Sequence, residues 1–352
     1  MKKRIVLSII IVISMLTGCS SKEKGSQERK SIRIGISVYD QYDTFVSSLI
    51  DALNQCAKIK EEETGIDITV DIVNASRSQL TQNEQVISYA DKNYDIICVN
   101  LVDRTDTSVI IDKVKSANIP IIFFNRQLVE EDLERWNELY YVGAAAEDSG
   151  ILQGNILIDL WEKNQKEIDK NKDGKMQYIM LEGEAGHQDA LVRTEYSINT
   201  MIDSGIVVDK LDNGIANWNR EQAANQMRIW WNKYGNEIEV AIANNDDMAL
   251  GVLDALRSLE VKEEDYPIIV GIDGTKEALN ELRAGNLVGT VLNDEYGQAN
   301  GIIELAYSLA MDTKLPEDVY LVDKKYIRIP YQKVTLKNVD DIIEMVNRNR
   351  SE

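Results

Sequence analysis

From residue 31 onward, short apolar runs alternate with longer stretches in which apolar residues recur every three or four positions. The runs at 32–38, 68–73, 95–99, 119–124 and 140–142 have the length of strands, and 119–124 is apolar at almost every position. A strand apolar on both faces is buried on both faces, as in a parallel sheet covered by helices. Helical periodicity fills the gaps at 44–62, 79–91 and 107–117. The alternation then restarts, with helices over 148–164, 190–204, 220–234, 246–259 and 276–284 and strands over 177–181, 206–211, 239–243, 268–272 and 287–292. Two successive arrays of this kind predict an α/β protein of two doubly wound, parallel-sheet lobes. A helix over 294–311, a strand over 326–329 and a helical tail from about 339 follow both arrays. The chain is therefore expected to cross a hinge more than once. Residues 31–143 with 294–328 would form the N-terminal lobe, and 144–293 with 329–352 the C-terminal lobe.

The first thirty residues do not belong to this scheme. Lys2, Lys3 and Arg4 form a charged start, residues 5–15 are apolar, and Leu16, Thr17 and Gly18 lead to Cys19. This reads as a secretory signal over 1–18, too short to be a membrane span. The closing cysteine resembles a bacterial lipoprotein signal, which implies lipidation of Cys19 and an extracytoplasmic protein anchored to the cell membrane. Residues 20–30 are polar and charged and read as a flexible tether. No other stretch is long and apolar enough to span a bilayer. Loss of the three leader cations takes the net charge from −20 to −23, which disfavours nucleic acid as a partner. Besides Cys19 only Cys56 and Cys98 remain; they read as buried free thiols.

Polar and aromatic side chains collect where strands give way to the next turn. Tyr39, Asp43 and Phe45 follow the first strand, and Asn125 with Arg126 ends the fourth. His187, Asp189 and Arg193 follow the first strand of the second array, Trp218 sits in a later turn, and Asn245, Asp273 and Asn293 end three more strands. These carboxyl ends are the ligand-binding edge of open α/β sheets. Planar polar groups can bond neighbouring hydroxyls, while aromatic faces cover the C–H faces of a sugar ring. No glycine-rich phosphate cradle follows the first strand, which argues against nucleotides. Taken singly, each Asn or Asp is as well explained as a turn former or helix cap.

A second chemistry lies at 169–177. Asp169, Asn171, Asp173 and Gln177 take positions one, three, five and nine of a calcium loop, and Gly174 takes position six. Position twelve should be a bidentate Glu but is Met180. The site is either decayed or completed from elsewhere in the chain.

At these residues the chain resembles the hinged periplasmic sugar-binding proteins of type 1, in their glucose/galactose-binding branch. The resemblance runs over nearly all of 31–335. It is carried by the first loop from Tyr39 to Phe45, by Phe123 to Asn125, Tyr140 to Gly143 and the loop from Asp169 to Gln177, then by Gly186 to Asp189 with Arg193, Trp218, Ile242 to Met248, Gly271 to Asp273 and Gly289 to Asp294. It implies sugar contacts by Tyr39, Asp43, Phe45, Asn125, His187, Asp189, Arg193, Trp218, Asn245, Asp273 and Asn293, with Phe45 and Trp218 sandwiching the ring. It also implies that Glu239 completes a structural calcium site with Asp169, Asn171, Asp173 and Gln177, Lys175 giving only its backbone carbonyl. Asp40 and Tyr42 depart from the family in the first loop, close to the expected sugar. Gly274 with Thr275, the longer helix over 58–64 and the C-terminal extension also depart, and are expected at the surface.

The resulting expectation is a monomeric receptor, not an enzyme. It would capture galactose or glucose, accept both epimers, and deliver them to the permease of an ABC importer. A sensor presenting the sugar to a chemoreceptor or sensor kinase is the alternative. An enzymatic reading would use Asp189 and Asp273 as a glycosidase pair with His187 as base. The wealth of Asn and Arg, which bind rather than transfer protons, weighs against it.

Overall fold

The computed structural model describes residues 31–349; the leader, Cys19 and the tether, on which the lipid-anchor reading rests, lie outside the described residues. The first lobe runs β1 (Ser31–Val38), α1 (Thr44–Thr64), β2 (Asp67–Asn74), α2 (Gln79–Asp91), β3 (Ile96–Val99), α3 (Ser108–Ala117), β4 (Ile121–Phe124), a single turn α4 (Glu130–Leu133) and β5 (Leu139–Gly143). The second runs α5 (Ala146–Ile168), β6 (Met176–Glu182), α6 (Gln188–Asp203), β7 (Val208–Ile215), α7 (Arg220–Tyr234), β8 (Val240–Ala243), α8 (Asp246–Ser258), β9 (Ile268–Val270), α9 (Lys276–Arg283) and β10 (Thr290–Leu292). The chain ends in α10 (Glu295–Met311), β11 (Tyr326–Arg328), β12 (Gln332–Val334) and α11 (Val339–Asn349).

The first sheet is fully parallel in the order β11-β5-β4-β3-β1-β2. The second is parallel in the order β7-β6-β8-β9. Bridges from Val270 to Gly289 and from Asp273 to Leu292 extend it to β10, and β12 closes that edge antiparallel. Strand order reverses between β1 and β3 and again between β6 and β8, so each lobe opens a crevice beyond those carboxyl ends. Because β11 joins the first sheet while β12 joins β10, the chain passes between lobes after β5, before α10 and after β11.

Helices cover both faces of each sheet, which is why the central strands are apolar throughout, while the edge strands β2 and β7 carry polar, half-exposed residues. In the first lobe α1 and α10 pack on one face, around Leu49, Leu53 and Ile302, and α2 and α3 on the other, around Val86, Ile110 and Val114. In the second lobe α7, α8, α9 and α11 cover one face, around Trp230 and Leu253, and α5 and α6 the other, around Leu157 and Met201. Cys56 and Cys98 are buried and free, and burial pushes both thiols up, Cys56 to about 12.

Several expectations at the edges need correction. The strand expected at 206–211 is β7, displaced toward its C-terminus, and its register against β6 shifts between Tyr178 and Ile179. Strand 287–292 shortens to β10, and β12 was not expected. The C-terminal extension is not a surface appendage: Val339, Ile342 and Val346 of α11 are buried in the second core. Gly274 is buried too, at φ +71°, where a side chain would meet Leu292. The extra turns of α1 are largely exposed, yet Lys60 is tied to Glu304 of α10 at 2.8 Å. Among the described residues no helix is long and apolar enough to cross a membrane.

Candidate functional site

All eleven residues expected at the sugar line one cavity between the lobes, with about 40 Å³ of free space among their side chains. Tyr39, Asp43, Phe45 and Asn125 come from the first lobe, and His187, Asp189, Arg193, Trp218, Asn245, Asp273 and Asn293 from the second.

Many of them cap helices as well, so the structural and the ligand-facing explanations coexist. Asp43 caps α1 by accepting from the Val46 N–H at 3.0 Å, and its other oxygen accepts from the Tyr39 hydroxyl at 2.6 Å. His187 caps α6, its Nδ1 accepting from the Asp189 N–H at 3.1 Å. Asn245 caps α8 through the Met248 N–H and donates to the Trp218 carbonyl. These bonds fix the three side chains in place at the cavity wall.

Trp218 is fixed by close approach. A Cβ on Gly183 would lie 2.2 Å from its ring, so only glycine lets the indole lie against that turn. His187 meets the same ring edge-on at 5.2 Å between centroids. Trp218 itself has φ +62°, Asn125 +59° and Asp273 +130°. Asp273 stands in a strained region, a cost of about 1–3 kcal/mol that surrounding structure must hold, as happens at binding sites.

Electrostatically the cavity is built on Arg193. Its two terminal nitrogens donate to the Asn244 carbonyl at 2.7 Å and the Tyr331 hydroxyl at 3.2 Å, and they lie 3.8 Å from Asp189 and 3.7 Å from Asp273. Its Nε is buried without a hydrogen-bond partner, a donor aimed at nothing in the protein. Burial raises the carboxyls of Asp189 and, further, Asp273; the Arg193 charge offsets this in part. Burial, then Arg126 and Arg193, hold the His187 imidazole well below its ordinary value, so it is neutral and a hydrogen-bonding group.

Sequence reasoning missed Val46 and placed Arg126 at the ligand-binding edge without counting it among the sugar contacts; both line the cavity. Arg126 lies over the Tyr39 ring at 3.5 Å and pairs with Glu184 of the other lobe at 2.9 Å; a cation directly after Asn125 at the end of an apolar strand was the available signal. Tyr331, which receives Arg193, follows β11 and carries no pattern that marks it. The first-loop departures need correcting in the other direction. Asp40 pairs with Arg77 at 2.7 Å, and Tyr42 is 81% exposed, so neither lines the cavity.

The oxygen-rich loop packs between α5 and β6, remote in sequence from Glu239 but not in space. The Glu239 carboxylate accepts from the Lys170 N–H at 2.7 Å and the Gln177 N–H at 3.0 Å, which places it over the loop. Asp169 accepts from the Asp173 and Gly174 N–H groups, and Asn171 from the Asp173 N–H. Burial raises the Glu239 carboxyl, with Asp169 and Asp173 adding to it. The Gln177 Oε1 is buried without a partner. Among the described residues no three His, Cys, Asp or Glu side chains gather as ligands by themselves, so a cation here depends on the amide and carbonyl oxygens too. An orphaned oxygen beside three carboxylates fits a hard, oxygen-seeking cation.

Comparison with known proteins agrees with this architecture. Residues 34–314 match the periplasmic binding protein domain. The chain is 34% identical over 346 residues to the D-galactose/methyl-galactoside binding periplasmic protein MglB of Haemophilus influenzae, covering 98% of this chain and 100% of that one. It is 28% identical over 338 residues to a putative rhizopine-binding protein of Rhizobium meliloti, covering 96% and 97%. An ABC transporter solute binding protein from Bacillus halodurans, solved with bound myo-inositol, superimposes with a TM-score of 0.73 at 28% identity, over 91% of this chain and 99% of that one. With two hinged parallel-sheet lobes and a polar cavity between them, the chain belongs to the type 1 periplasmic binding protein family, extracytoplasmic solute-binding proteins rather than enzymes.

Proposed function

We propose that this protein is a lipid-anchored receptor that captures D-galactose or D-glucose between its lobes and hands it to an ABC importer. The observation that carries the reading is the convergence of eleven hydroxyl-bonding and aromatic side chains from both lobes on one cavity. Phe45 and Trp218 enter from opposite lobes and suit the two C–H faces of a pyranose. Arg193 Nε offers a donor with no protein partner, and Asp43, Asp189 and Asp273 offer acceptors to ring hydroxyls.

Closure is the signal to the permease. Thr44 at the start of α1 donates to Asp247 at the start of α8 at 2.6 Å, and Arg126 pairs with Glu184. Both contacts join opposite lobes, so they form only as the cleft narrows. A ligand touching both lobes binds the narrowed state better and shifts the population toward it. Cys19, once lipidated, would keep the receptor at the membrane. Asp169, Asn171, Asp173, Gln177, Glu239 and the Lys175 carbonyl would hold a structural calcium, which supplies cross-linking of the loop to β8 and no part of sugar capture. Because Asp40 and Tyr42 lie outside the cavity, we expect them to leave the choice between epimers untouched.

The test is a tryptophan-fluorescence titration of residues 20–352 with galactose, glucose, ribose and myo-inositol. Saturable change with a hexose and none with ribose supports the reading. Saturation by inositol or ribose alone would keep the receptor and replace its ligand.

A further inference from the structure

Beside the sugar cavity lies a larger chamber of about 480 Å³, also between the lobes. The two share Arg126, His187 and Asp189 in their walls, so the same side chains border a bound ring on one side and the chamber on the other. The chamber is faced by the guanidinium groups of Arg77, Arg104 and Arg126, notable on a chain of net charge −20.

The charges on its wall can be accounted for one by one. Arg77 is paired with Asp40 at 2.7 Å and Arg126 with Glu184 at 2.9 Å. Asp189 lies 3.8 Å from Arg193, and Asp103 accepts from the Thr105 N–H at 2.8 Å and hydroxyl at 2.7 Å. Arg104 is left over. It donates from Nε to the Gln127 carbonyl at 2.8 Å and forms no ion pair within 4 Å among the described residues, although its charge helps to lower the adjacent Asp103 carboxyl. That bond orients the guanidinium while leaving both terminal nitrogens for another acceptor, the fork that matches a carboxylate or phosphate. The positive field reaches the shared wall: after burial, Arg126, Arg193 and Arg104 depress His187, and Arg193, Arg126 and Arg104 lower Asp189.

We propose that the chamber receives an anionic substituent on the bound hexose, a carboxylate or phosphate held by Arg104, so that acidic hexose derivatives are ligands alongside the free sugar. The inference rests on the hexose reading of the adjoining cavity. Neutral hexose leaves the chamber to water, and its binding does not depend on Arg104.

Calorimetric titration of wild type, Arg104→Gln and Arg104→Lys with galactose, galacturonate, galactose 1-phosphate and the glucose equivalents tests it. Gln can keep the bond to the Gln127 carbonyl, and Lys keeps the charge. The expected result is wild-type binding of at least one acidic derivative as tight as the free hexose. That binding should weaken about tenfold or more in Arg104→Gln, recover in part in Arg104→Lys, and weaken with added salt, while free hexose is unchanged in all three. A carboxylate-only or phosphate-only response identifies which anion the chamber takes. Free hexose binding without either acid, or an equal loss for acid and neutral sugar in Arg104→Gln, overturns the inference and leaves the hexose reading standing. Absence of any hexose binding overturns both.

Discussion

Trp218 holds its place through a glycine and a helix turn rather than through the ligand, which makes it a clean probe. Trp218→Ala should leave the fold intact, because the ring is half-buried at the cavity wall and packs only against the outside of the second core. Removing one face of a stacked ring should cost about 2–3 kcal/mol, so hexose affinity should fall roughly 30–160-fold by calorimetry. Asp246 makes a different prediction. It is fully buried beneath the site, accepting from the Thr290 hydroxyl at 2.6 Å and the Thr275 N–H at 2.7 Å, and burial pushes its carboxyl up to about 6 from 3.8. A carboxyl raised on folding favours the folded state below about pH 4, and that contribution is lost as pH rises through about 6. The size is about 3 kcal/mol at ~1.36 kcal/mol per unit. Denaturant unfolding of Asp246→Asn should show a shallower fall in stability between pH 4 and 7 than wild type. Parallel curves would refute it. Asp246 was legible in the sequence only as a residue after a strand, since nothing local tells a buried carboxyl from an exposed cap.

At the scale of elements, the oxygen-rich loop proposed to hold calcium illustrates what spacing can and cannot say. Alternating oxygens from Asp169 to Gln177 are a local pattern and were readable directly, but the twelfth ligand was not, because β8 brings Glu239 from 62 residues beyond Gln177. Chelation should lower the melting temperature by several °C and leave hexose affinity within about twofold, since the loop shares no residue with the cavity. An equal loss of sugar binding would make the metal part of the cleft. The terminal helix α11 was readable as a helix but not as part of the core, because amphipathicity does not name the partner face. It packs on α9, and its last turn reaches α1, where Gln55 donates to the Asn349 carbonyl at 2.5 Å. Truncation after residue 337 uncovers Leu279 and Leu282 of α9. It should lower stability by about 2–4 kcal/mol, read as a leftward shift of the urea midpoint.

Across the whole molecule, two α/β lobes were legible because their strands are apolar on both faces and their helices periodic. The site was legible because this architecture puts ligand residues at the carboxyl ends of strands. What could not be read was how the lobes meet. Thr44 with Asp247 and Arg126 with Glu184 pair residues about 200 and 58 positions apart across the cleft, and no periodicity encodes that. Asp247→Ala removes one such contact, worth about 0.5–1.5 kcal/mol. It should weaken hexose binding by only a few-fold and raise the radius of gyration of the sugar-free protein in solution scattering. An unchanged radius would mean that the contact does not set the lobe equilibrium.

The most direct test of the account is calorimetry of residues 20–352 with galactose and glucose, wild type against Trp218→Ala and Asp43→Asn. The account predicts one site per chain for a hexose in the wild type, a drop of roughly 30-fold or more in Trp218→Ala, and weakened binding in Asp43→Asn. Wild-type hexose binding that survives both substitutions unchanged would contradict the assignment of the cavity between the lobes as the sugar site.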